Sequence, residues 1–364
     1  MAISGELTVK GLRARPVSVP MSRPLQTAAG ELTEAPLVLV DLATDGGVTG
    51  RSYVFAYTPL ALRPVARLIT ELTDVIAGEP LAPVDLTATV AARFRMLGLK
   101  GPPTIALAAI DMAAWDALAR AAEMPVCRLL GGSPRPIPAY GSLKAMRPDD
   151  ARAEAAELAG HGFGEYKGRV GYAGLDDDRQ VIRALREATD PAAGIAVDYN
   201  QALSVPEAIG RLTRLADEHL FWAEEPTSAD DVPGHARIRR EAPVPVQLGE
   251  NWWGTREMAA SIDAGASDLA MVDVMRIGGV TGWLRAAGLA EAAGIPLSSH
   301  LFVEVSAHLL AVSPTAHRLE YLDLASPVLA APLTPVDGRV QAPDTPGFGL
   351  EWDEDAVERF GVTA

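Results

Sequence analysis

The chain has 364 residues, a hydrophobic fraction of 48% and a formal net charge of −15, which is typical of one large or two ordinary soluble domains. The negative charge argues against nucleic acid or an anionic membrane as a partner, although a small anion could bind beside a divalent cation. We find no apolar run long enough to cross a bilayer and no secretory signal, and a single cysteine, Cys127, suits a reducing compartment. The expected location is the cytoplasm.

Residues 1–132 are predicted to form an α+β domain in which antiparallel strands precede helices. Alternating apolar residues indicate strands at 36–42 and 52–55 around a tight turn. The stretch 25–32 has no periodicity and contains small residues, so we expect a loop there that can move. Apolar residues at helical spacing predict three helices: one with Pro64 in its first turn that ends at Gly78, one at 83–97 and one at 104–122.

From residue 133 to residue 324, short apolar runs alternate with amphipathic stretches, which predicts parallel strands joined by helices. Eight such units indicate a (β/α)8 barrel. Residues 325–364 are proline-rich and then acidic, and we expect them to pack back on the N-terminal domain. The eight strands are predicted at 137–143, 165–170, 194–200, 221–225, 244–250, 269–273, 296–300 and 318–322, with intervening helices that include 151–158, 206–216, 255–264 and 280–292.

Every predicted barrel strand ends in polar residues. The active sites of such barrels lie at the carboxyl ends of the strands. Burying carboxylates at the ends of apolar runs costs free energy, which indicates that they serve a common function. The polar residues at these ends are Ser142, Lys167, Arg169, Asp198, Asn200, Glu224, Glu250, Asp273, His300 and Glu320.

Three of these carboxylates, Asp198, Glu224 and Glu250, come from consecutive strands. Adjacent parallel strands lie ~4.8 Å apart, so the three negative charges are predicted to crowd one region. Oxygen ligands with room for water and substrate favour Mg²⁺. For any one carboxylate alone, a solvated loop position is the simpler interpretation. Alternation along the strand turns Glu225 away from this group.

Two further pairs complete the candidate site. Lys167 and Arg169 are two apart on one strand, so both side chains face the same side and need an anionic partner. His300 and Asp273 end adjacent strands, an arrangement in which a carboxylate orients a histidine general base. The other five histidines are better explained by surface or core positions.

Several longer motifs carry a family resemblance. They are Val-Asp-Tyr-Asn-Gln at 197–201, Glu-Glu-Pro at 224–226, Gly-Glu-Asn-Trp at 249–252, Ile-Gly-Gly-Val-Thr-Gly-Trp at 277–283 and Ser-Ser-His-Leu-Phe at 298–302. Over almost its whole length the chain resembles the mandelate racemase subgroup of the enolase superfamily. The resemblance implies an α/β fold, with an α+β capping domain at 1–132 over a modified TIM (β/α) barrel at 133–324 in which one strand is less regular, and with 325–364 packed against the cap.

The resemblance also implies a chemistry. Mg²⁺ is held by the three carboxylates, and the His300–Asp273 dyad removes the α-proton of a 2-hydroxy carboxylate through an enediolate. Lys167 and Ser142 donate to the substrate carboxylate, and Asn200 holds the 2-hydroxyl. Glu320 acts as a protonated acid, which requires a raised pKa. The family also suggests a homo-oligomer, possibly an octamer.

One residue departs from the family pattern. Racemases of this subgroup have a Lys-x-Lys pair whose second lysine is the base on the opposite face, and this chain has Arg169 at that position. Arginine is not deprotonated at neutral pH under ordinary conditions. Two interpretations remain open: Arg169 is an unusually deprotonated base, or it is only a donor in a one-base enzyme.

The substrate is the second open point. Six residues match positions of an apolar cage, which favours a racemase or epimerase acting on an aromatic or apolar 2-hydroxy acid such as mandelate. The alternatives are an acid-sugar dehydratase that uses the dyad on one face, and a protein that binds metal and ligand without catalysis. The cage residues are Leu25, Leu32, Phe55, Tyr57, Leu301 and Leu322.

Overall fold

The computed structural model describes residues 7–27, 30–172 and 174–363. Its N-terminal sheet is an antiparallel meander of three strands, β1 (Val9–Thr27), β2 (Gly30–Thr44) and β3 (Thr49–Phe55). The first two strands pair to the tip of the hairpin, where Leu25 lies opposite Leu32. The prediction of a loop at 25–32 is therefore wrong for the described residues, which belong to β1 and β2. Leu25 and Leu32 are half-buried and most of the side chains around them are exposed, so apolar residues are too sparse to show alternation although backbone pairing continues. Ala28 and Ala29 lie outside the described residues.

Helices cover this sheet. The first predicted helix is divided: α1 begins earlier, at Pro59, because Thr58 caps it by accepting a hydrogen bond from the backbone N–H of Leu60, and the helix breaks at Leu72. Pro64 therefore lies inside α1 rather than in its first turn. The longest helix is buried along most of its faces, as predicted. The five helices are α1 (Pro59–Glu71), α2 (Thr73–Ile76), α3 (Pro83–Arg93), α4 (Pro102–Ala121) and α5 (Val126–Leu129).

All eight predicted barrel strands are confirmed, and they pair in parallel in the order β10-β9-β8-β7-β6-β5-β4-β11. Backbone hydrogen bonds from Ser299 N to Arg318 O (3.0 Å) and from His317 N to Leu297 O (2.8 Å) join β10 to β11 and close the ring. The strands are β4 (Ile137–Ser142), β5 (Glu165–Arg169), β6 (Gly194–Asp198), β7 (Ala223–Glu224), β8 (Val246–Leu248), β9 (Leu269–Asp273), β10 (Leu297–His300) and β11 (Leu319–Tyr321).

An α-helix follows each of the first seven barrel strands, whereas β11 leads into a 3-10 turn at Ser326–Val328. This is the modified barrel that the family resemblance implied. The helices are α6 (Pro148–Ala159), α7 (Leu175–Ala188), α8 (Val205–Arg214), α9 (Val232–Glu241), α10 (Thr255–Asp263), α11 (Gly279–Ala293) and α12 (Val303–Val312), with a further 3-10 turn at Ala216–Glu218.

The C-terminal segment contacts both domains. Strand β12 (Arg339–Val340) pairs antiparallel with β4, and α13 (Glu354–Phe360) follows. On the cap side, Val362 N donates to Pro16 O at 2.9 Å and Trp352 Nε1 donates to Asp41 Oδ1 at 2.8 Å. Among the described residues we identify no helix with the length and apolarity that a membrane crossing requires.

Candidate active site

Three buried carboxylates meet at the carboxyl ends of β6, β7 and β8. Asp198 and Glu224 are register partners on neighbouring strands, and Glu250 lies two residues beyond β8. One oxygen from each lies within 4.8 Å of the others. Burial, above all, raises the pKa of Glu224 to about 8, because the charged form loses hydration beside two like charges. A dry, all-oxygen group that resists ionisation without a cation fits Mg²⁺.

Fixed donors hold these carboxylates in place. The backbone N–H and the side-chain Nδ2 of Asn200 donate to the two oxygens of Asp198, both at 2.8 Å. Trp222 Nε1 and Gln247 Nε2 donate to Glu224 Oε2 at 3.2 and 3.1 Å. Glu225 points elsewhere, as predicted, and accepts two contacts from Asn251 Nδ2 at 2.8 and 2.7 Å. The ligand oxygens are therefore oriented by the barrel itself.

Lys167 lies among these acids rather than free on the strand face. Its Nζ is 2.5 Å from Glu224 Oε1, 2.8 Å from Glu320 Oε1 and 3.8 Å from Asp198 Oδ2. Burial opposes the charged amine, but Glu224 and Glu320 outweigh burial and raise the pKa of Lys167 well above its ordinary value. The side chain is therefore a buried cation that neutralises part of the acidic group.

Glu320 differs from the sequence-based expectation. Burial alone would raise the pKa of its carboxyl group. The nearby Lys167 and His300 have the larger, opposite effect, and the pKa is lowered to about 2. The expected raised pKa is therefore wrong for this arrangement. The reason is the 2.8 Å ion pair with Lys167 and a second hydrogen bond, from the backbone N–H of Leu301 at 3.0 Å. Glu320 is placed here as an ionised acceptor.

The strand ends bring His300 and Asp273 together as a dyad. They are register partners on β10 and β9, and His300 Nδ1 lies 2.7 Å from Asp273 Oδ2. The other Asp273 oxygen accepts from the backbone N–H groups of Met275 and Arg276 at 2.8 and 3.0 Å. Burial would lower the pKa of His300, but Glu250, 3.3 Å from Nε2, contributes most to raising it to about 9. The imidazole is strongly basic and fixed in orientation.

Arg169 is engaged as a hydrogen-bond donor. Its Nη1 donates to Asn200 Oδ1 at 2.6 Å, and its Nε donates to Leu143 O at 3.3 Å. Burial disfavours its charge, yet neighbouring acids, first Asp198, outweigh burial and raise the pKa of the guanidinium above its ordinary value. In both contacts Arg169 is the donor.

A cavity of about 540 Å³ opens above the dyad and the metal ligands. Apolar walls of this size and concavity are typical of small-molecule sites. All six predicted cage residues line it, and Arg169, Asn200, Glu250 and His300 line its polar side. Ser142 is the register partner of Lys167 on the neighbouring strand, and its buried Oγ has no partner among the described residues. Its contact with the substrate stays a prediction.

Three functional candidates were missed from the sequence. Tyr57 was assigned only to the cage, yet its Oη donates to Asp273 Oδ2 at 3.2 Å. Arg276 lines the cavity, with its guanidinium 4.4 Å from the Tyr57 ring centroid. Tyr172 Oη donates to Asn200 Oδ1 at 3.0 Å. Arg276 follows Asp273 by three residues in the loop after β9, which was the available signal. Tyr172 lies just beyond β5, in a segment without periodicity.

Comparison with known proteins identifies the family. Residues 150–356 match the enolase C-terminal domain-like family, and residues 11–131 match the mandelate racemase / muconate lactonizing enzyme N-terminal domain. The chain therefore belongs to the enolase superfamily, in its mandelate racemase / muconate lactonizing enzyme family. Enzymes similar to this chain include cycloisomerases, dehydratases and racemases.

Three curated relatives have names that refer to sugar-derived acids. The 3,6-anhydro-α-L-galactonate cycloisomerase of Streptomyces coelicolor is 30% identical, over 92% of this chain and 93% of that protein. The D-galactarolactone cycloisomerase of Agrobacterium fabrum is also 30% identical, over 93% and 95%. The L-talarate/galactarate dehydratase of Salmonella typhimurium is 28% identical, over 94% and 87%.

Solved structures are also similar to this chain. An enolase from Bradyrhizobium, complexed with magnesium and mandelic acid, is 47% identical, with a TM-score of 0.95 over 99% of this chain and all of that chain. A racemase from Streptomyces coelicolor with bound magnesium is 29% identical, with a TM-score of 0.91 over 97% and 100%. The fold is thus shared with neighbours that bind magnesium, and Asp198, Glu224 and Glu250 of this chain are placed to hold such an ion.

Proposed function

We propose that this protein abstracts the α-proton of an apolar 2-hydroxy carboxylate, with a mandelate-type racemase as the first candidate. The observation that carries the proposal is the His300–Asp273 dyad, which faces a cage-lined cavity beside the acidic triad. The similarity to a neighbour that binds magnesium and mandelic acid supports the choice of substrate.

In this proposal Asp198, Glu224 and Glu250 hold Mg²⁺. The bound ion supplies fixed positive charge, which stabilises the negative charge that develops on the substrate carboxylate. The protein adds two cations of its own from the same face of strand β5. Lys167 is charged and buried, and Arg169 is held by Asn200. These groups need no reorganisation as the substrate gains charge, which is the condition for effective electrostatic catalysis.

His300 is the proposed base. Asp273 Oδ2 accepts the hydrogen bond from Nδ1, so the proton of the neutral ring lies on Nδ1. Glu250 contributes most to the raised pKa of His300, and Mg²⁺ bound to Glu250 would offset that contribution, which would leave Nε2 free to take the α-proton. Removal of that proton gives the dianionic enediolate. Asn200 has one Nδ2–H left after its bond to Asp198, and we assign that donor to the 2-hydroxyl of the substrate.

Arg169 governs the stereochemical outcome. Racemisation requires a proton acceptor on each face of the substrate, and a guanidinium with a raised pKa is a poor acceptor at neutral pH. We therefore expect fast proton removal from the enantiomer that presents its α-proton to His300. Removal from the other face should be slow, so that exchange with retention of configuration outpaces racemisation, which is slowed equally in both directions because the enantiomers have equal free energy.

Solvent exchange tests the proposal directly. The protein is loaded with Mg²⁺ in D₂O, and loss of the α-proton signal of R- and S-mandelate is followed separately by proton NMR. R-mandelate is expected to exchange, and His300→Asn should slow that exchange at least ~100-fold, which is the usual contribution of a general base. Absence of exchange from both enantiomers would remove the mandelate-type assignment.

An acid-sugar dehydratase is the second candidate. The same cavity carries polar groups that a polyol would use, among them Asn251, Arg276 and Tyr172, and curated relatives carry acid-sugar names. In such a reaction His300 would remove the α-proton and the 3-hydroxyl would leave as water. A panel of sugar acids incubated with the Mg²⁺-loaded protein and then with semicarbazide reveals 2-keto products. If a sugar acid gives a 2-keto product and mandelate shows no α-proton exchange, the protein is a dehydratase.

A further inference from the structure

A second cavity, of about 500 Å³, lies between the capping domain and the barrel. The segment after α3 and the first turn of α4 form one side, and the loops that lead into α10 and α11 form the other. It shares no lining residue with the substrate cavity. Its polar lining includes Arg95, Thr104, Arg256 and Arg285. This cavity has no part in the proposed chemistry.

The charge of this cavity is unusual for the chain. Three arginines line it and no aspartate or glutamate does, although the protein has a net charge of −15. Arg95, Arg256 and Arg285 have exposed side chains and form no ion pair within the described ranges. Like charges gathered around one concavity repel each other and attract anions.

Two carboxylates near the cavity, those of Asp111 and Glu257, already have other partners. Asp111 accepts from Thr281 N at 3.0 Å and from Thr87 Oγ1 at 2.7 Å. Glu257 accepts from the backbone N–H of Trp253 at 2.8 Å and pairs with Lys100 at 3.5 Å. Neither carboxylate lines the cavity. The three guanidinium groups are therefore left for a ligand from outside.

A buried hydroxyl and a helix start lie beside the cavity. Thr104 is only 4% exposed and lines the cavity, and its enclosed Oγ1 has no hydrogen-bond partner among the described residues. Gly254, the N-cap residue of α10, and Thr255 also line the cavity, and Glu257 in the first turn of this helix accepts from the backbone N–H of Trp253. The three arginines are therefore the charged groups that a ligand would meet.

Apolar side chains complete the wall. Phe94, Leu99, Leu107, Trp253 and Ile277 face the same space as the arginines. Inorganic phosphate alone would leave this surface uncovered. We propose that the cavity binds an organic anion in which a carboxylate or phosphate head is carried on an apolar body, with the head beside the arginines. This site is separate from the substrate site and does not rest on the proposed function.

Calorimetric titration of the Mg²⁺-loaded protein with 1-naphthyl phosphate tests this proposal. One site is expected, and inorganic phosphate should bind at least ~10-fold more weakly because it lacks the apolar body. Arg256→Gln and Arg285→Gln should each weaken 1-naphthyl phosphate binding about 10-fold, which matches the loss of a charge-assisted hydrogen bond. Arg240→Gln is the matched control, since Arg240 is an exposed arginine on α9 outside the cavity, and it should leave binding unchanged.

Two further measurements distinguish binding in this cavity from a loss of folding and from binding in the substrate cavity. Arg285→Gln should leave the thermal stability of the free protein unchanged, because the Arg285 side chain is exposed and forms no ion pair within the described ranges. Removal of Mg²⁺ with EDTA should leave binding in this cavity unchanged, because none of the metal ligands lines it, whereas a phosphate held by the ion in the substrate cavity would be lost. The proposal is overturned if 1-naphthyl phosphate does not bind, if the Arg256 and Arg285 variants bind as well as Arg240→Gln does, or if EDTA abolishes binding.

Discussion

Tyr57 in the capping domain donates a hydrogen bond from its Oη to Asp273 Oδ2, 3.2 Å away on barrel strand β9. The same oxygen receives Nδ1 of His300 at 2.7 Å. The guanidinium of Arg276 lies 4.4 Å from the Tyr57 ring centroid and fixes the ring from another side. A residue of the cap therefore helps to orient the base of the barrel, in addition to forming part of the cage.

Removal of this hydroxyl should slow proton abstraction. Tyr57→Phe keeps the ring and its contact with Arg276 but loses one hydrogen bond to a charged group, so we expect α-proton exchange from R-mandelate to fall about 10-fold. Tyr53→Phe is the matched control, because Tyr53 Oη also donates from the cap to a buried barrel carboxylate, Glu304, at 2.7 Å. That variant should lose stability and keep its exchange rate. Equal loss of exchange in both variants would contradict the role assigned to Tyr57.

Arg169→Lys tests the second face of the substrate. A desolvated lysine loses its proton far more readily than arginine does, so exchange from S-mandelate is expected to rise at least ~10-fold, while R-mandelate exchange stays within about twofold. Proton NMR in D₂O with each enantiomer measures both rates. A parallel change on both faces would mean that Arg169 acts only through the electrostatics of the shared enediolate.

Magnesium should stabilise the folded chain through the acidic triad. At a concentration 100 times the dissociation constant, the ion is expected to add about 2.7 kcal/mol to the free energy of unfolding. Glu224→Gln should remove most of this increment, as seen in thermal melts with and without Mg²⁺. Glu225→Gln alters the adjacent carboxylate, which contacts Asn251 instead, and should retain it. If both variants respond to Mg²⁺ like the unmodified chain, the triad is not the binding site.

His308 should make stability depend on pH. Its Nδ1 accepts from Cys127 N at 3.3 Å, and burial, above all, lowers its pKa to about 4. The unfolded chain, with a pKa of about 6.5, takes up the proton first as the pH falls, so stability is complete above about 6.5 and is lost down to about 4. This group alone should cost about 2 kcal/mol between pH 7 and pH 5.

Urea unfolding at the two pH values measures the loss. His308→Asn keeps an acceptor for Cys127 and should flatten the pH dependence by that amount. His219→Asn is the control, since His219 is exposed and has a left-handed backbone conformation that asparagine tolerates. An unchanged slope in His308→Asn would contradict the assignment.

Gly50 marks a close approach between β3 and α4. A Cβ at this position would lie 2.0 Å from Ala113 O and 2.6 Å from Ala117 N, both backbone atoms that cannot yield. Gly50→Ala should therefore destabilise the protein by about 3 kcal/mol. Gly288→Ala, inside α11 with open space around it, should stabilise it by about 1 kcal/mol. The free energies of unfolding of the two variants, measured with denaturant, distinguish the steric conflict at Gly50 from the helix propensity at Gly288.

The polar residues at the strand ends were predictable because burial and alternation produce a local pattern in the sequence. Asp198, Glu224 and Glu250 each follow an apolar run, and parallel pairing alone brings them together. The His300–Asp273 dyad follows from the same rule. The hairpin tip was not predictable in this way, because Leu25 and Leu32 pair through the backbone in a stretch with too few apolar residues to show alternation.

Other features depend on contacts between distant segments. The low pKa of Glu320 arises from Lys167 on another strand, and no local pattern encodes the distance between them. The contact of Tyr57 with Asp273 joins residues 216 positions apart, across the boundary between cap and barrel. Such couplings appear only when the register of the strands and the docking of the cap are known.

The position of Lys167 has a consequence for the order of assembly. Its ammonium group already lies between Glu224 and Glu320, so it serves as an internal counter-ion for the acids. The barrel can then close during folding without waiting for a metal from solution, and the ion loads into a finished site. Biosynthesis and metal uptake thereby become separate events, and a shortage of magnesium should leave an inactive but intact protein that recovers when the ion returns.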